Sequence, residues 1–568
     1  MKKKVISLIA ALCMAVTALP AAGLAANAKT ITDDRTGESI SYECSEGTIT
    51  VSGDVSASAP VIIASYDESG KMLSAKILNE SGAEDISGTG SAKLMWLGGD
   101  FTAKSRFVQF IRGEEVASGN IFNFDKSTGT ITGLRYKNVT KLIIPETIDD
   151  VAVTGIGDSA FSGCSELTSV TIPEGVTGIG SYAFNGCRGL ESVDIPSGVT
   201  SIGERAFSGC SGLTEVTIPE GVTNIAPYAF LGCRKLTSVT IPVSVTGIGT
   251  YAFSGCSSLA SVDIPSGVTS IGEQAFFDTA YYKDESNWIS DVLYIDTALI
   301  EARDSLSGEY SVKEGTVCIA DHAFSGCGSL TSVTVPSGVV AIGEHAFEGC
   351  SGLTSADIPA DVTGIGEYAF SGCSSLASVD IPSGVTVIDR FVFWGCSSLK
   401  MVKIPAEVTD IGDYAFYGCS GLTSADIPSG VTSIGVGAFL DCSSLTAVNI
   451  PAGVTEISES VFSGCSSLKS ISIPSGVTGI GTAAFQRCSA LTSVTIPEGV
   501  THINWGAFDD CGSLKSVKIP LSVAGIGQNA FGGCYNLTDI YYAGTEEQWE
   551  DLFSSNALDE NTTVHFGR

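Results

Sequence analysis

The chain has little histidine and little positive charge. Only 4 His occur in 568 residues, so neither a Ser/His/Asp nor a Cys/His catalytic arrangement assembles convincingly from them. No His-Glu-x-x-His or Gly-x-Ser-x-Gly motif is present, and no Cys-x-x-Cys supplies a tetrahedral metal set. Lys and Arg number 30 against 62 Asp and Glu, a formal charge of -32. Such a surface repels a phosphate backbone, which argues against nucleic-acid binding and against electrostatic attachment to anionic lipid. A charge-steered partner is therefore basic, or a cation. Disorder is excluded too, because 44% of the residues are hydrophobic and can fill a large core.

Past the first residues, no stretch reaches the roughly 20 apolar residues that span a bilayer. Lys2, Lys3 and Lys4 precede an apolar run from Val5 to about Ala26, which ends in the small residues Ala26-Asn27-Ala28. This is the layout of a secretory signal, so residues 1–28 are expected to be a signal peptide, cleaved near Lys29, on an exported protein.

The dominant feature is internal repetition. Phe161, Phe184, Phe207, Phe230, Phe253 and Phe276 stand 23 residues apart. A second series at the same spacing runs from Phe324 through Phe347, Phe370, Phe393, Phe416, Phe439, Phe462, Phe485 and Phe508 to Phe531. One copy reads Leu167-Thr-Ser-Val170-Thr-Ile172-Pro173-Glu-Gly175-Val176-Thr-Gly-Ile179-Gly180-Ser-Tyr182-Ala183-Phe184-Asn-Gly186-Cys187. Val170 and Ile172 alternate with polar residues, the period of a strand, and Pro173 and Gly175 end it in a turn. The spacing from Ala183 to Cys187 predicts one helical or 3₁₀ turn. No 23-residue unit buries its own apolar side, whereas stacked units share a continuous core, so a right-handed solenoid with a parallel sheet is expected. A parallel β-helix with three strands per coil is the alternative, since Val176 to Ile179 also suits an extended chain.

The pattern Leu-x-x-Val-x-Ile-Pro followed by Val-x-x-Ile-Gly-x-x-Ala-Phe-x-x-Cys resembles the 23-residue leucine-rich repeat of the BspA-like bacterial surface proteins. The resemblance covers roughly residues 122–568. Thr279 departs from it by replacing the unit's Cys, and Pro stands where other leucine-rich repeats carry an Asn ladder. The resemblance implies a secreted or cell-surface, non-enzymatic protein of the antigen or adhesin class, whose partners are proteins of the host extracellular matrix or of other cells. An architectural spacer or envelope component, and a carbohydrate-associated accessory acting through the N-terminal domain, are the opposing readings.

The rest of the chain is organised around the array. Residues 29–121 lack the repeat; Thr48–Val51, Val61–Ala64, Met72–Leu78, Lys93–Trp96 and Phe107–Ile111 read as strands of a small β-sandwich. Residues 122–160 form an irregular first coil, and residues 161–540 the solenoid, with an insertion near 277–311 expected to project from the stack as a hairpin. Residues 541–568 supply a C-terminal cap.

Several motifs dissolve into the repeat. Gly178-Ile-Gly180-Ser-Tyr182-Ala183 matches a dinucleotide fingerprint, but variants fill the same slot of other coils and a 23-residue unit has no room for the helix a cofactor needs. These glycines are expected to serve the bend, and no cofactor is expected. Fifteen of the 18 Cys recur once per coil, from Cys164 to Cys534. Equivalent Cβ atoms about 4.8 Å apart do not suit a disulfide, which predicts a buried ladder of free thiols. His322 and His345, beside Asp321 and Glu344, fall in a row otherwise filled by Tyr182, Tyr228, Tyr251, Tyr368, Phe391 and Tyr414, so stacking is expected rather than metal ligation.

Two surfaces are candidates for a partner. The row between the strand's Val and Ile, taken as the concave face, contains Asp194, Asp263, Asp357, Asp380, Lys403 and Asp426, with Lys403 compensating its acidic neighbours. The other breaks the repeat's own pattern: Trp394, Tyr417 and Leu440 follow the Phe where Ser or another polar residue is usual, adjoining Tyr368, Phe391 and Tyr414. An exposed aromatic patch is the expected hot spot.

Overall fold

Each coil is a three-sided loop whose apolar positions all point inward, because nothing else in 23 residues removes them from water. In the computed structural model the described residues are 121–553 apart from 136 and 138, residues 561–567, and the strands between Lys29 and Val116. The expected signal segment, residues 1–28, lies outside them. The chain divides into two units. One comprises Met1–Val245, Tyr251–Val262 and Phe276–Lys283, and the other Thr246–Thr250, Asp263–Ala275 and Asp284–Arg568.

In the first unit the chain before the array forms two antiparallel sheets. One joins Lys29–Thr32, Ser39–Ser45, Thr48–Gly53 and Gly82–Asp85; the other orders Met72–Leu78, Val61–Tyr66, Ser91–Trp96, Val108–Ile111 and Glu114–Val116. All five expected strands are among them. Val51, Val61, Ile63, Leu78 and Leu94 are buried. A hairpin, Phe122–Asp125 with Thr130–Leu134, then opens the array by pairing in parallel with Gly155–Ile156.

The coil quoted above shows how the repeat folds. Ser169–Thr171 pairs in parallel register with Lys141–Ile143 before it and with Ser192–Asp194 after it. Pro173 has no amide to continue that ladder, and its carbonyl accepts from the Val176 amide at 3.1 Å to close the turn. A second strand follows: Gly178–Ile179 pairs with Gly155–Ile156 and Ser201–Ile202. On the third side the expected helical turn does not form. Amides alternate instead: Ala183, Asn185 and Cys187 donate within the coil to residues three earlier, while Tyr182, Phe184 and Gly186 donate to Glu204, Ala206 and Ser208 of the next coil at 2.7–2.8 Å. Left-handed backbone at Tyr182 (φ 59°) and Gly186 (φ 72°) turns alternate peptides outward. A helical turn would keep every amide inside its own coil and leave the stack unbonded on this side. Two strands and a chain of tight turns per coil make a leucine-rich-repeat solenoid, not a three-stranded β-helix.

The glycines of the apparent fingerprint serve close approach rather than the bend. A Cβ on Gly180 would lie 2.6 Å from the Asp158 amide nitrogen in the preceding coil. Leu167, Val170, Ile172, Val176, Ile179, Ala183, Phe184 and Cys187 are all buried. The Phe rings form a column in each unit, with centroids 5.0–5.6 Å apart from Phe161 to Phe276 and 4.9–5.7 Å apart from Phe324 to Phe531.

In the second unit the insertion does not project. Its hairpin, Val292–Ile295 with Ala298–Ala302, is almost wholly buried, and Ala298 and Leu299 pair in parallel with Cys318 and Ile319. Consecutive apolar residues on both strands leave no polar face to turn toward water, so the hairpin enters the stack. At the other end Asp539–Tyr542 pairs with both Ser516–Ile519 and Thr563–Phe566, and the helix Glu546–Phe553 places buried Trp549 against Tyr542, ring centroids 5.4 Å apart. This is the segment expected to act as a cap.

Candidate binding surface

The thiols are intrinsically the strongest nucleophiles of the array, and the fold withdraws them. From Cys164 to Cys534 the ladder cysteines are free and buried. Cys210 donates its S–H to the Phe184 carbonyl and Cys373 to the Phe347 carbonyl, both at 3.2 Å, and the arrangement recurs along the stack. Burial pushes the Cys488 thiol up to about 12, so it stays protonated and unreactive at neutral pH. Thr279 stands where the ladder would carry a Cys, but its hydroxyl donates at 2.9 Å to the Phe276 carbonyl of its own coil and not to the preceding one.

The sheet row taken as the concave face is solvated. Asp194, Asp263, Asp357, Asp380, Lys403 and Asp426 are all exposed. Lys403 stands in register between Asp380 and Asp426, as the spacing predicts, and Met401 beside it is 63% exposed.

The aromatic row is a built feature of the second unit. Tyr368, Phe391 and Tyr414 stack face to face, 4.4 and 5.2 Å between centroids, each with left-handed backbone. Trp394 leans on Tyr368, Phe391 and Tyr417 at 5.8–6.1 Å and is 39% exposed. Tyr368, Phe391, Tyr414, Tyr417 and Leu440 are half-buried. Gly437 ends the row. It leaves the space that the Tyr414 ring occupies, since a Cβ there would come within 2.5 Å of Tyr414 Cε1.

Acids border this row. Asp321, Glu344, Glu367 and Asp413 each immediately precede a ring of the row, and Arg390, exposed, interrupts them 3.6 Å from Asp413. Burial pushes the Asp321 carboxyl up to about 6, against the Glu344 amide that donates to it at 2.8 Å and with the Glu344 charge adding to the rise. Burial and the Glu367 charge raise Asp389 as well. The same row in the first unit holds a cation. Arg205 lies 3.9 Å from the Tyr228 ring centroid and 5.5 Å from that of Tyr182, whose hydroxyl accepts from Arg205 Nη1 at 2.8 Å.

His322 and His345 extend the stack, as the sequence predicts, with centroids 4.4 Å apart and His345 a further 4.6 Å from Tyr368. Burial and the His345 ring hold the His322 imidazole below its usual range, against the pull of Glu273, Glu348 and Glu344. Glu348, which the sequence reading passes over, reaches back to His345, with Oε2 2.7 Å from Nδ1. The signal was available: Glu348 fills the slot after the Phe, the slot that is Ser at 325 and 371 in the coils on either side and the one that singled out Trp394.

Comparison with known proteins agrees with this repeat. The profile described as BspA type leucine rich repeat region matches residues 134–234, 308–423 and 409–538, more than half of the chain. No curated protein matches. Among solved structures, a leucine-rich repeat protein from Bacteroides ovatus is 25% identical, covering 79% of this chain and 98% of its own, with a TM-score of 0.36. A leucine rich cell surface protein from Faecalibacterium prausnitzii is 29% identical over 78% of this chain and 98% of its own, with a TM-score of 0.28. A leucine-rich repeat protein from Eubacterium ventriosum is 24% identical over 65% of this chain and 83% of its own, with a TM-score of 0.32. On the strength of the repeat profile, and of the 23-residue coil described above, this chain belongs to the BspA-type leucine-rich repeat family.

Proposed function

We propose that the protein is an exported, non-enzymatic binding protein of the bacterial cell surface that engages a protein partner through the aromatic row of its second unit. The observation that carries this reading is the cluster of Trp394 with Tyr368, Phe391, Tyr414 and Tyr417, large rings part-exposed beside a line of carboxylates. Rigid aromatic groups at the edge of a stack bring contact area with little entropy to lose, and carboxylates beside them favour Arg or Lys on the partner. Arg205, seated between Tyr182 and Tyr228, supports the same chemistry within the chain itself. The partner is thus a protein with an exposed basic segment, of host matrix or of another cell. In the second unit the exposed Asp263, Asp357, Asp380 and Asp426 add long-range attraction for such a segment.

The test is surface binding of the full chain to immobilised matrix proteins and to a glycan panel, wild type beside Trp394→Ser. The substitution installs Ser, the residue found most often at that slot and present in the adjacent coil at Ser371, so the fold is kept. We expect at least a tenfold weaker association with the protein ligand, as for loss of a central aromatic anchor. Equal binding by the variant would move the site off the aromatic row, and binding to glycans alone would replace the protein-partner reading.

A further inference from the structure

We propose that His322, His345 and Glu348 form a binding site for a divalent transition-metal ion of the zinc type. Among the described residues these three offer ligand atoms that all lie within 4.8 Å of one another. His345 Nδ1 and Glu348 Oε2 are hydrogen-bonded at 2.7 Å, and a small opening to the ~3.3 Å that separates two ligands on a tetrahedral zinc would let the ion replace the shared proton. The His322 ring lies parallel to that of His345, centroids 4.4 Å apart, and tilts toward it to bring its nitrogen onto the same ion. His345 is held on its far side by Tyr368, ring centroids 4.6 Å apart.

Three departures from the repeat meet at this point. The slot of the two histidines carries Tyr, Phe, Arg, Ser or Gln in neighbouring coils, and the slot of Glu348 carries Ser in the coils to either side. Ring stacking alone accounts for neither choice: Tyr stacks as well as His, and Glu348 has no part in a stack. Two imidazoles and one carboxylate select zinc, nickel or copper over calcium and magnesium, which favour all-oxygen sets. Three protein ligands, half-buried, leave a fourth position for water or a group from outside. Asp321 is not among the ligands, since its Oδ1 is committed to the Glu344 amide.

The test is calorimetric titration of zinc chloride into the untagged, chelator-stripped full chain, with millimolar magnesium present to occupy the weaker carboxylate sites. Wild type is expected to show one saturable event at a ratio of one. His345→Tyr and Glu348→Ser, which install residues the repeat itself uses at those slots, are expected to weaken it at least tenfold while circular dichroism stays unchanged. Glu344→Gln, beside the site but outside the ligand set, is expected to bind as wild type does. In parallel, two of the four His Hε1 proton resonances should shift on zinc addition in the wild type. Absence of a saturable event in the wild type, wild-type affinity in both ligand variants, or equal loss in Glu344→Gln would each overturn the site.

Discussion

At the residue scale the thiol ladder shows how one side chain serves two needs. A buried Cys fills the volume of a small apolar residue, and its S–H reaches a Phe carbonyl of the preceding coil, as Cys396 does to Phe370 and Cys442 to Phe416, each at 3.2 Å. The consequence for pH follows from proton counting. An unfolded thiol ionises near pH ~8.5, whereas burial holds Cys488 and Cys318 up to about 12 in the fold. Below pH ~8.5 both states keep the proton and the stability is full; above it the unfolded chain releases protons that the fold retains, so stability falls as pH rises toward about 12. Far-ultraviolet circular dichroism in a fixed concentration of denaturant should therefore show a midpoint that drops from pH 8.5 upward. At pH 8 the ladder thiols should stay silent to a thiol-specific dye until denaturant is added. Prompt labelling of the folded chain at Cys210, Cys373 or Cys488, read by mass spectrometry, would contradict the buried ladder.

At the element scale the unit of stability is the coil with its two neighbours. Phe370 is fully buried, 5.1 Å from the Phe347 ring and 5.7 Å from Phe393. Replacing it with Ala removes both contacts and leaves a cavity, at a cost of about 3–5 kcal/mol. Because coils couple to nearest neighbours, the loss should be local: hydrogen exchange should quicken in residues 347–393 and stay unchanged at Val494 and Val517. Uniform acceleration over the second unit would mean that it unfolds as one block. Thr409, whose hydroxyl donates to the Thr386 carbonyl at 3.3 Å on the exposed surface, is the contrasting case, and Thr409→Ala should cost less than about 1 kcal/mol. The Phe column and the thiol ladder are legible in the sequence because their chemistry recurs at a fixed spacing. The second strand, Gly178–Ile179, is legible only in part: Val176 to Ile179 suits an extended chain, but two residues carry no period that would decide it. The left-handed backbone at Tyr182 is not legible, since Tyr is a residue type without that preference; it arises because Tyr182 must send its amide to Glu204 in the next coil. The aromatic row and the histidine stack were legible from breaks in the pattern. Glu348 was missed because it stands three residues from His345, and their meeting depends on that same turn geometry.

At the scale of the whole molecule the charge of -32 acts on two equilibria with opposite sign. Excess acid repels itself in the folded state, where the stack holds Asp357, Asp380 and Asp426 on one sheet face, and less so in the expanded chain. Salt screens that repulsion, with a Debye length falling from about 30 Å at 0.01 M to about 8 Å at 0.15 M. The melting temperature should thus rise over this range. Association with a basic partner responds the other way, since the same screening removes the attraction that guides it and should slow the on-rate about tenfold or more. Measuring melting by scanning calorimetry and association by surface binding in one salt series tests both. A melting temperature that falls with salt would show that attractive pairs such as Arg303 with Glu285 outweigh the acidic excess. An on-rate indifferent to salt would leave the aromatic row as the sole source of affinity and remove the basic segment from the description of the partner.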